Sequence, residues 1–392
     1  MSALISDPAA VPTRPSPART GGLLGPLLRS KLVTALASPH GVDTYLERFN
    51  PMWAAHEVRA RIVSVHRETD GDAPVATLTL QPTSTWRGHR AGQHVLVGVE
   101  IPGIAKRFTR AFSISSAASG RGERFTLTIR AHDEGQVSSY LVRQAQAGQI
   151  LHLSQAQGEF TLVESPATPT ISRLVFITGG SGITPAMSMV RTLLRDGYDG
   201  HAGRKVTFLH FARSAEDQIF ATELAEIAAA DNGVDVHLRH GDQVFSEFEL
   251  RRLVPDYKET DTWLCGPPGL VELVKTAYGD STRLRMEFFK PAVARAAVST
   301  GSTTDAPVIE GDISFTRSGK TAAASGASLL EQAEELGLKP EFGCRMGICF
   351  SCTRTKTAGT VRNILTGEES AVPDEEVRIC VTAAAGDCHI DL

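Results

Sequence analysis

Four cysteines near the C-terminus carry the plainest chemistry in the sequence. Cys344, Cys349 and Cys352 are spaced C-x4-C-x2-C, and Cys380 follows after 27 intervening residues. Thiolates at this spacing hold the two irons of a [2Fe–2S] centre, three from one loop and one from a distant segment. Gly343 and Gly347 give that loop a backbone compact enough to turn amide N–H groups toward the sulfides. A structural zinc site and a set of reduced core thiols are the competing readings. Zinc sites usually draw on two short-spaced pairs, whereas here three candidate ligands cluster and the fourth stands apart. Cys388 falls outside the pattern and reads as a packed thiol.

A second chemistry is suggested by glycines at two strand ends. The apolar stretch Leu174–Thr178 runs into Gly179-Gly180-Ser181-Gly182-Ile183-Thr184-Pro185, after which a helical pattern begins. Such a turn lets backbone approach a pyrophosphate at a helix N-terminus. It is not the G-x-G-x-x-G of ordinary dinucleotide dehydrogenases, and turns of this kind also serve purely structural ends. A similar turn, Gly266-Pro267-Pro268-Gly269, follows Leu264-Cys265.

The elements around these residues fall into blocks. Residues 1–53 form a leader whose first 20 residues are proline-rich and whose stretch Gly22–Phe49 reads as helical. Within it Leu23, Leu24, Leu27, Leu28, Leu32 and Val33 fall on one side. Over residues 54–165, Val58–Arg67, Val75–Leu80, His94–Ile101, Phe108–Ser115, Arg124–Ala131 and Ile150–Leu153 read as short strands with one helix, Val137–Ala145, as in a small antiparallel β-barrel. From 170 to 290 strands and helices alternate, the rhythm of a doubly wound α/β sheet. Residues 291–307 are rich in Ala, Ser and Thr and suit a linker. Residues 308–392 hold short strands, one helix (Ser328–Leu336) and the cysteines, an α+β arrangement of β-grasp type.

Bulk properties restrict the field. The chain has 392 residues, enough for several domains, and a net charge of −4 that argues against nucleic acid as a partner. No run of 18 apolar residues occurs, and Arg29 and Lys31 interrupt the apolar part of the leader, so neither a membrane span nor a signal peptide is expected. A cytoplasmic protein is the expectation, and there clustered cysteines favour metal over disulfides.

The segment Glu341–Cys352, with Arg378-Ile379-Cys380, resembles the plant-type [2Fe–2S] ferredoxin domain of bacterial electron-transfer reductases, departing from it in the bulky Phe350. The two glycine turns together resemble the pyridine-nucleotide domain of the ferredoxin-NADP reductase superfamily. That resemblance implies that Gly180, Gly182, Thr184, Pro185, Gly266 and Pro267 line the pyrophosphate and nicotinamide, and that Cys265 lies near the hydride-donating carbon. A small buried thiol is the plain alternative for Cys265. Arg213 and Ser214 stand where the superfamily contacts the adenosine ribose, so Arg213 either pairs with the 2′-phosphate of NADPH or is a solvated loop charge compatible with NADH.

Arg110-Ala111-Phe112-Ser113 resembles the R-x-[Tyr/Phe]-S flavin motif of the same superfamily. It implies that Arg110 neutralises a flavin phosphate, Phe112 stacks on a flavin ring and Ser113 donates near the reactive nitrogen. Ile129 and Arg130 on the next strand, and Val137, Ser138 and Ser139 at the start of the barrel helix, complete the implied flavin site. FAD is expected, with FMN as the variant. Glu287 and Phe289 match the position that packs near the flavin, or are core residues.

The joint resemblance covers residues from about Glu57 to Leu392 and implies a relay. NAD(P)H gives a hydride to the flavin, the flavin gives single electrons to the cluster, and the ferredoxin domain passes them to an acceptor. Tyr45–Trp53 resembles the leader of reductases serving membrane-bound fatty-acyl desaturases, which implies peripheral contact with a membrane partner. Rieske or diiron oxygenases, alkane hydroxylases and cytochromes P450 are the alternative acceptors. A reading of another class is a non-catalytic redox sensor.

Overall fold

The computed structural model describes residues 42–103, 107–132, 135–162, 173–196, 205–287, 289, 311–342, 347 and 352–392. The linker expected at 291–307, the leader before Val42, Cys344, Cys349 and Phe350 lie outside the described residues.

Helix α1 (Val42–Phe49) precedes the strands β1 (Val58–Thr69), β2 (Val75–Pro82), β3 (His94–Glu100), β4 (Arg107–Ser113) and β5 (Phe125–Arg130). Helix α2 (Gln136–Arg143) and strand β6 (Ile150–Leu153) complete the lobe. The strands form one antiparallel sheet in the order β4-β3-β6-β1-β2-β5. Ile114 bridges Leu127, and Ser115 N–H reaches Thr126 O at 2.9 Å, so the sheet curls shut between its edge strands. Alternation along each strand sends Ile62, Leu78, Leu80, Val97 and Leu127 inward, all fully buried. Val137 and Leu141 bring one face of α2 into the same core.

Helix α1 is fastened to this barrel by a buried carboxylate. Asp43 accepts N–H bonds from Ala55, from His56 at 2.9 Å and from Glu57 at 2.7 Å. Arg59, also buried, donates to Pro51 O at 3.1 Å and pairs with Glu47 at 3.0 Å. A carboxylate with three backbone donors is well compensated for its burial. The far side of α1 leaves Tyr45 and Phe49 exposed, and Trp53 beyond it.

The second lobe alternates β7 (Arg173–Gly179), α3 (Ile183–Arg195), β8 (Lys205–Ala212), α4 (Ala221–Ala229), β9 (Val234–His240), α5 (Glu247–Leu253), β10 (Asp261–Cys265), α6 (Pro268–Tyr278) and β11 (Leu284–Glu287). The sheet is parallel throughout, in the order β11-β10-β7-β8-β9. The chain runs outward from β7 to β9 and then returns to the other side of β7. This reversal puts the topological switch point between β7 and β10, where the ends of parallel strands leave a crevice. Two details differ from the sequence expectation. The sequence pattern predicts a helix over Asp217–Ala230, but Asp217–Phe220 is a turn that ends on Phe220 at φ 59°, and β11 is a short strand of mixed polarity that periodicity does not reveal.

The two lobes share a core. Val75, Ala91 and Phe160 of the barrel lobe belong to the same buried cluster as Leu174, Phe176, Phe208 and Trp263. One face of α3 adds hydrogen bonds to the segment after β4. Ser188 donates to Ser116 O at 2.6 Å and Arg191 to Ser115 O at 2.5 Å; Thr192 Oγ1 accepts Ala118 N–H at 2.9 Å, and Arg195 donates to Ala118 O. These four residues recur at helical spacing, so they fall on a single face.

The C-terminal lobe has its own core. It comprises β12 (Asp312–Phe315), β13 (Lys320–Ala323), α7 (Leu329–Glu335), β14 (Thr353–Asn363), β15 (Glu369–Ser370), β16 (Glu375–Arg378) and β17 (Thr382–Ile390). The sheet is mixed, order β13-β12-β17-β14-β15, with β12 parallel to β17 and β16 on β14. Helix α7 starts with a capping box between Ser328 and Glu331. Cys388 is buried on β17, and burial pushes its thiol up to about 11, as expected of a packed residue.

Candidate functional site

The barrel contributes His94 and Ser113, which face one another across β3 and β4. Paired residues project from the same side of a sheet, so both side chains look outward from one spot. His94 is 4% exposed, yet neither ring nitrogen has a hydrogen-bond partner. Its Nδ1 lies 3.7 Å from Glu287 Oε1, at the end of β11 in the other lobe. Glu287 Oε2 is likewise buried without a partner, and Glu287 pairs with Cys265 across β10 and β11. Burial first, and the Glu287 charge second, hold the Cys265 thiol well above its ordinary range. Ser113, His94, Glu287 and Cys265 therefore surround one crevice, Cys265 as a neutral thiol.

The two glycine turns meet beside it. A Cβ on Gly182 would stand 2.2 Å from Cys265 O and 2.5 Å from its carbonyl carbon, so only glycine lets these backbones touch. Gly179 sits against Pro267 and Leu270, and Gly266 against Leu270 and Gly179. Gly180 has φ 54°, and the nearest atom to a Cβ there would be Arg130 Nη2 at 4.0 Å. Thr184 Oγ1 donates to Ser181 O at 3.0 Å, and Pro185 is buried in the first turn of α3.

Arg130, placed by the sequence among flavin residues, thus faces the nucleotide turn. Burial lowers its pKa, Asp217 opposes that shift and Arg213 adds to it, so these three charges share one neighbourhood. Arg130 Nε is buried without a partner. Arg213 is exposed, and Ser214 Oγ accepts Asp217 N–H at 3.2 Å. Behind them His210 is fully buried, bonded through Nδ1 to Thr178 Oγ1 at 2.7 Å.

In the flavin motif, Arg110 Nη1 donates to Thr109 O at 2.8 Å and to Phe342 O at 3.1 Å, and its guanidinium lies 4.7 Å from the centre of the Phe342 ring. Ala111 and Phe112 are half-buried, Phe112 against the barrel core. Ile129 and Val137 point into that core. Ser138 and Ser139 turn their hydroxyls back to Gly135 O and His132 O, so they hold the loop before α2. Phe289 packs on the core shared by the two lobes.

Of the four proposed cluster cysteines, Cys352 and Cys380 are described. Thr353 pairs with Arg378 across β14 and β16, and Ile379 N–H reaches Cys352 O at 3.3 Å, which brings the two buried cysteines to the same end of the sheet. Gly347, at φ 74°, packs so tightly on Val381 that a Cβ would come within 2.6 Å of its methyl carbon. Thr353 Oγ1 is buried there without a partner.

These features fit the groups that the sequence implies. The crevice between the lobes presents buried polar atoms lacking partners from both sides, the glycine turn presents an open glycine beside a half-buried arginine, and the third lobe presents thiols. His94 is the site residue that sequence reading missed. Its signal was a polar residue opening an otherwise apolar strand, one residue after Gln93. A cleft of about 460 Å³, lined by Glu100, Tyr140, Gln149 and His152 among others, shares no residue with this crevice.

Comparison with known proteins follows the three lobes. An oxidoreductase FAD-binding domain family matches residues 62–162, an oxidoreductase NAD-binding domain family 176–276, and a 2Fe-2S iron-sulfur cluster binding domain family 315–385. The chain is 37% identical to an NADPH oxidoreductase of Mycobacterium tuberculosis over 92% of its own length and 91% of that protein. It is 30% identical to the glycine betaine monooxygenase reductase subunit of Pseudomonas aeruginosa, over 86% of its own length and 96% of that subunit. The structure of phthalate dioxygenase reductase, 20% identical, superposes with a TM-score of 0.54 over 86% of this chain and 98% of that one, a likeness of fold.

Proposed function

The chain belongs to the family of NAD(P)H-dependent electron-transfer oxidoreductases that join FAD-binding, NAD-binding and [2Fe–2S] domains, and from that premise we propose that it draws electrons from NADPH and delivers them to an oxygenase component. The observation that carries the reading is the convergence of Ser113 and His94 from one lobe with Cys265 and Glu287 from the other on a single crevice.

When bound, the cofactors supply hydride acceptance and one-electron transfer; the chain supplies position and electrostatics. Ser113 offers a hydroxyl at the flavin's reactive edge. Cys265, neutral and buried, gives the nicotinamide a compact apolar neighbour, while the shared core behind it keeps water out. Gly180 and Gly182 let backbone approach the pyrophosphate. Arg130 and Arg213 set positive charge beside it, and Arg213 favours a 2′-phosphate and so NADPH. Arg110 neutralises a flavin phosphate. Cys344, Cys349, Cys352 and Cys380 hold the cluster.

The oxygenase acceptor is supported by the monooxygenase reductase subunit, nearly all of which this chain spans. A second reading, a membrane-bound fatty-acyl desaturase, is favoured by one observation: Tyr45, Phe49 and Trp53 are exposed at 47%, 82% and 42% on or just after a firmly anchored helix. No helix among the described residues is long and apolar enough to cross a membrane, so such contact would be peripheral.

The relay is tested by Cys349→Ser. The variant keeps its flavin and its NADPH–ferricyanide activity, which exits at the flavin, but loses the cluster spectrum and cytochrome c reduction. Normal cytochrome c reduction in a cluster-free variant overturns the relay. A soluble oxygenase component and desaturase-bearing membranes, each offered as acceptor to the native protein, separate the two partners.

A further inference from the structure

We propose that Phe342 is a positioning residue that clasps Arg110 and so docks the C-terminal lobe on strand β4, setting how fast electrons reach the cluster. The inference rests on the relay above and deepens it. Arg110 makes two unlike contacts with this one residue, a hydrogen bond to its carbonyl oxygen at 3.1 Å and a cation–π contact with its ring at 4.7 Å. A hydrogen bond to backbone fixes distance, and a guanidinium over a ring face fixes orientation, so the pair defines a docking geometry. Phe342 also packs against the buried core of the C-terminal lobe, which makes it a braced post. The positions in sequence give the contact its meaning. Phe342 comes two residues before Cys344, and Arg110 three before Ser113. The clasp thus joins the two segments to which the relay assigns donor and acceptor.

Domains connected through a chain segment move relative to one another unless contacts hold them. A docked cluster receives electrons; each transfer oxidises the flavin by one electron and reduces the cluster by one, with NADPH as the source. Loss of the clasp slows that passage without touching hydride transfer, which occurs in the other two lobes.

The experiment compares Phe342→Leu, Phe342→Ala and Phe342→Tyr with the native holoprotein. Anaerobic stopped-flow follows flavin reduction and cluster reduction separately, and small-angle X-ray scattering reports the radius of gyration. Leu keeps apolar bulk but has no ring face, so it slows cluster reduction about five- to tenfold, the worth of one cation–π contact. Flavin reduction stays at the native rate and the radius of gyration rises. Tyr restores both. If Ala loses its cluster, Leu decides. A Leu variant with native cluster reduction and native dimensions overturns the clasp, as does a Tyr variant as slow as Leu. Failure of the native cluster to be reduced by NADPH at all would instead sink the relay itself.

Discussion

Glu287 Oε1 stands 3.7 Å from His94 Nδ1, and through this pair the last residue of β11 meets the first residue of β3. Each belongs to a different lobe and each has a buried polar atom without a hydrogen-bond partner. Burying such atoms costs free energy unless a bound group satisfies them, which fits a cofactor site at this junction.

Gly182→Ala tests the nucleotide turn. The new methyl group would meet Cys265 O and C and Gly266 N, all backbone atoms that cannot swing aside. We expect a loss of about 1–3 kcal/mol in stability from overpacking and a large rise in the KM for NADPH. Thermal melting and steady-state kinetics check both. Unchanged KM would remove the turn from the nucleotide site.

Arg213→Ala tests coenzyme choice. If Arg213 pairs with a 2′-phosphate, NADPH binding weakens by roughly 1–3 kcal/mol and NADH binding is spared. The measurement is the ratio of kcat/KM for the two coenzymes. Equal losses for both would return Arg213 to the role of a solvated loop charge.

His210 makes the nucleotide lobe acid-sensitive. Burial, with lesser contributions from the charges of His240 and Arg130, holds its pKa down to about 3 against an unfolded value of 6.5. The unfolded chain therefore binds the extra proton first. Stability from this residue is complete above pH 6.5 and falls as pH drops toward 3, by on the order of 3 kcal/mol at pH 4. His89, lowered to about 4 mainly by burial, acts in the same sense. His210→Asn, which can still bond Thr178, should flatten the fall in melting temperature between pH 7 and pH 4. An unchanged slope would exclude His210 as its source.

Asp43→Ala tests whether α1 belongs to the fold. The substitution leaves three backbone N–H groups of Ala55–Glu57 without their acceptor. A destabilisation of about 2–3 kcal/mol is expected, with flavin reduction by NADPH retained. A native melting temperature would show that α1 is an accessory.

The parts most legible in the sequence were those governed by local chemistry. Cysteine spacing, glycine turns and the change from strand-only to strand–helix rhythm each depend on neighbouring residues, and the three lobes have the expected classes of sheet. Contacts between lobes were not legible, because they depend on which surfaces meet. Ser188, Arg191, Thr192 and Arg195 show an i, i+3, i+4, i+7 polar stripe in the sequence, but nothing there says that it meets residues 115–118. Arg130 is similar: its strand was read correctly, and its direction toward Gly180 depends on how the second lobe sits.

The core shared by the first two lobes also constrains how the protein is made. The ribosome delivers the barrel first, with Ala91 and Phe160 still uncovered on its open flank. Their partners arrive in stages, from Leu174 and Phe176 on β7 to Trp263 on β10, whose indole N–H reaches Thr161 O at 3.3 Å. About 90 residues of synthesis thus separate the emergence of β7 from that of the strand that completes the cover. Over that interval the nascent chain carries an apolar flank, so chaperone dependence during translation should end only once Trp263 has left the exit tunnel.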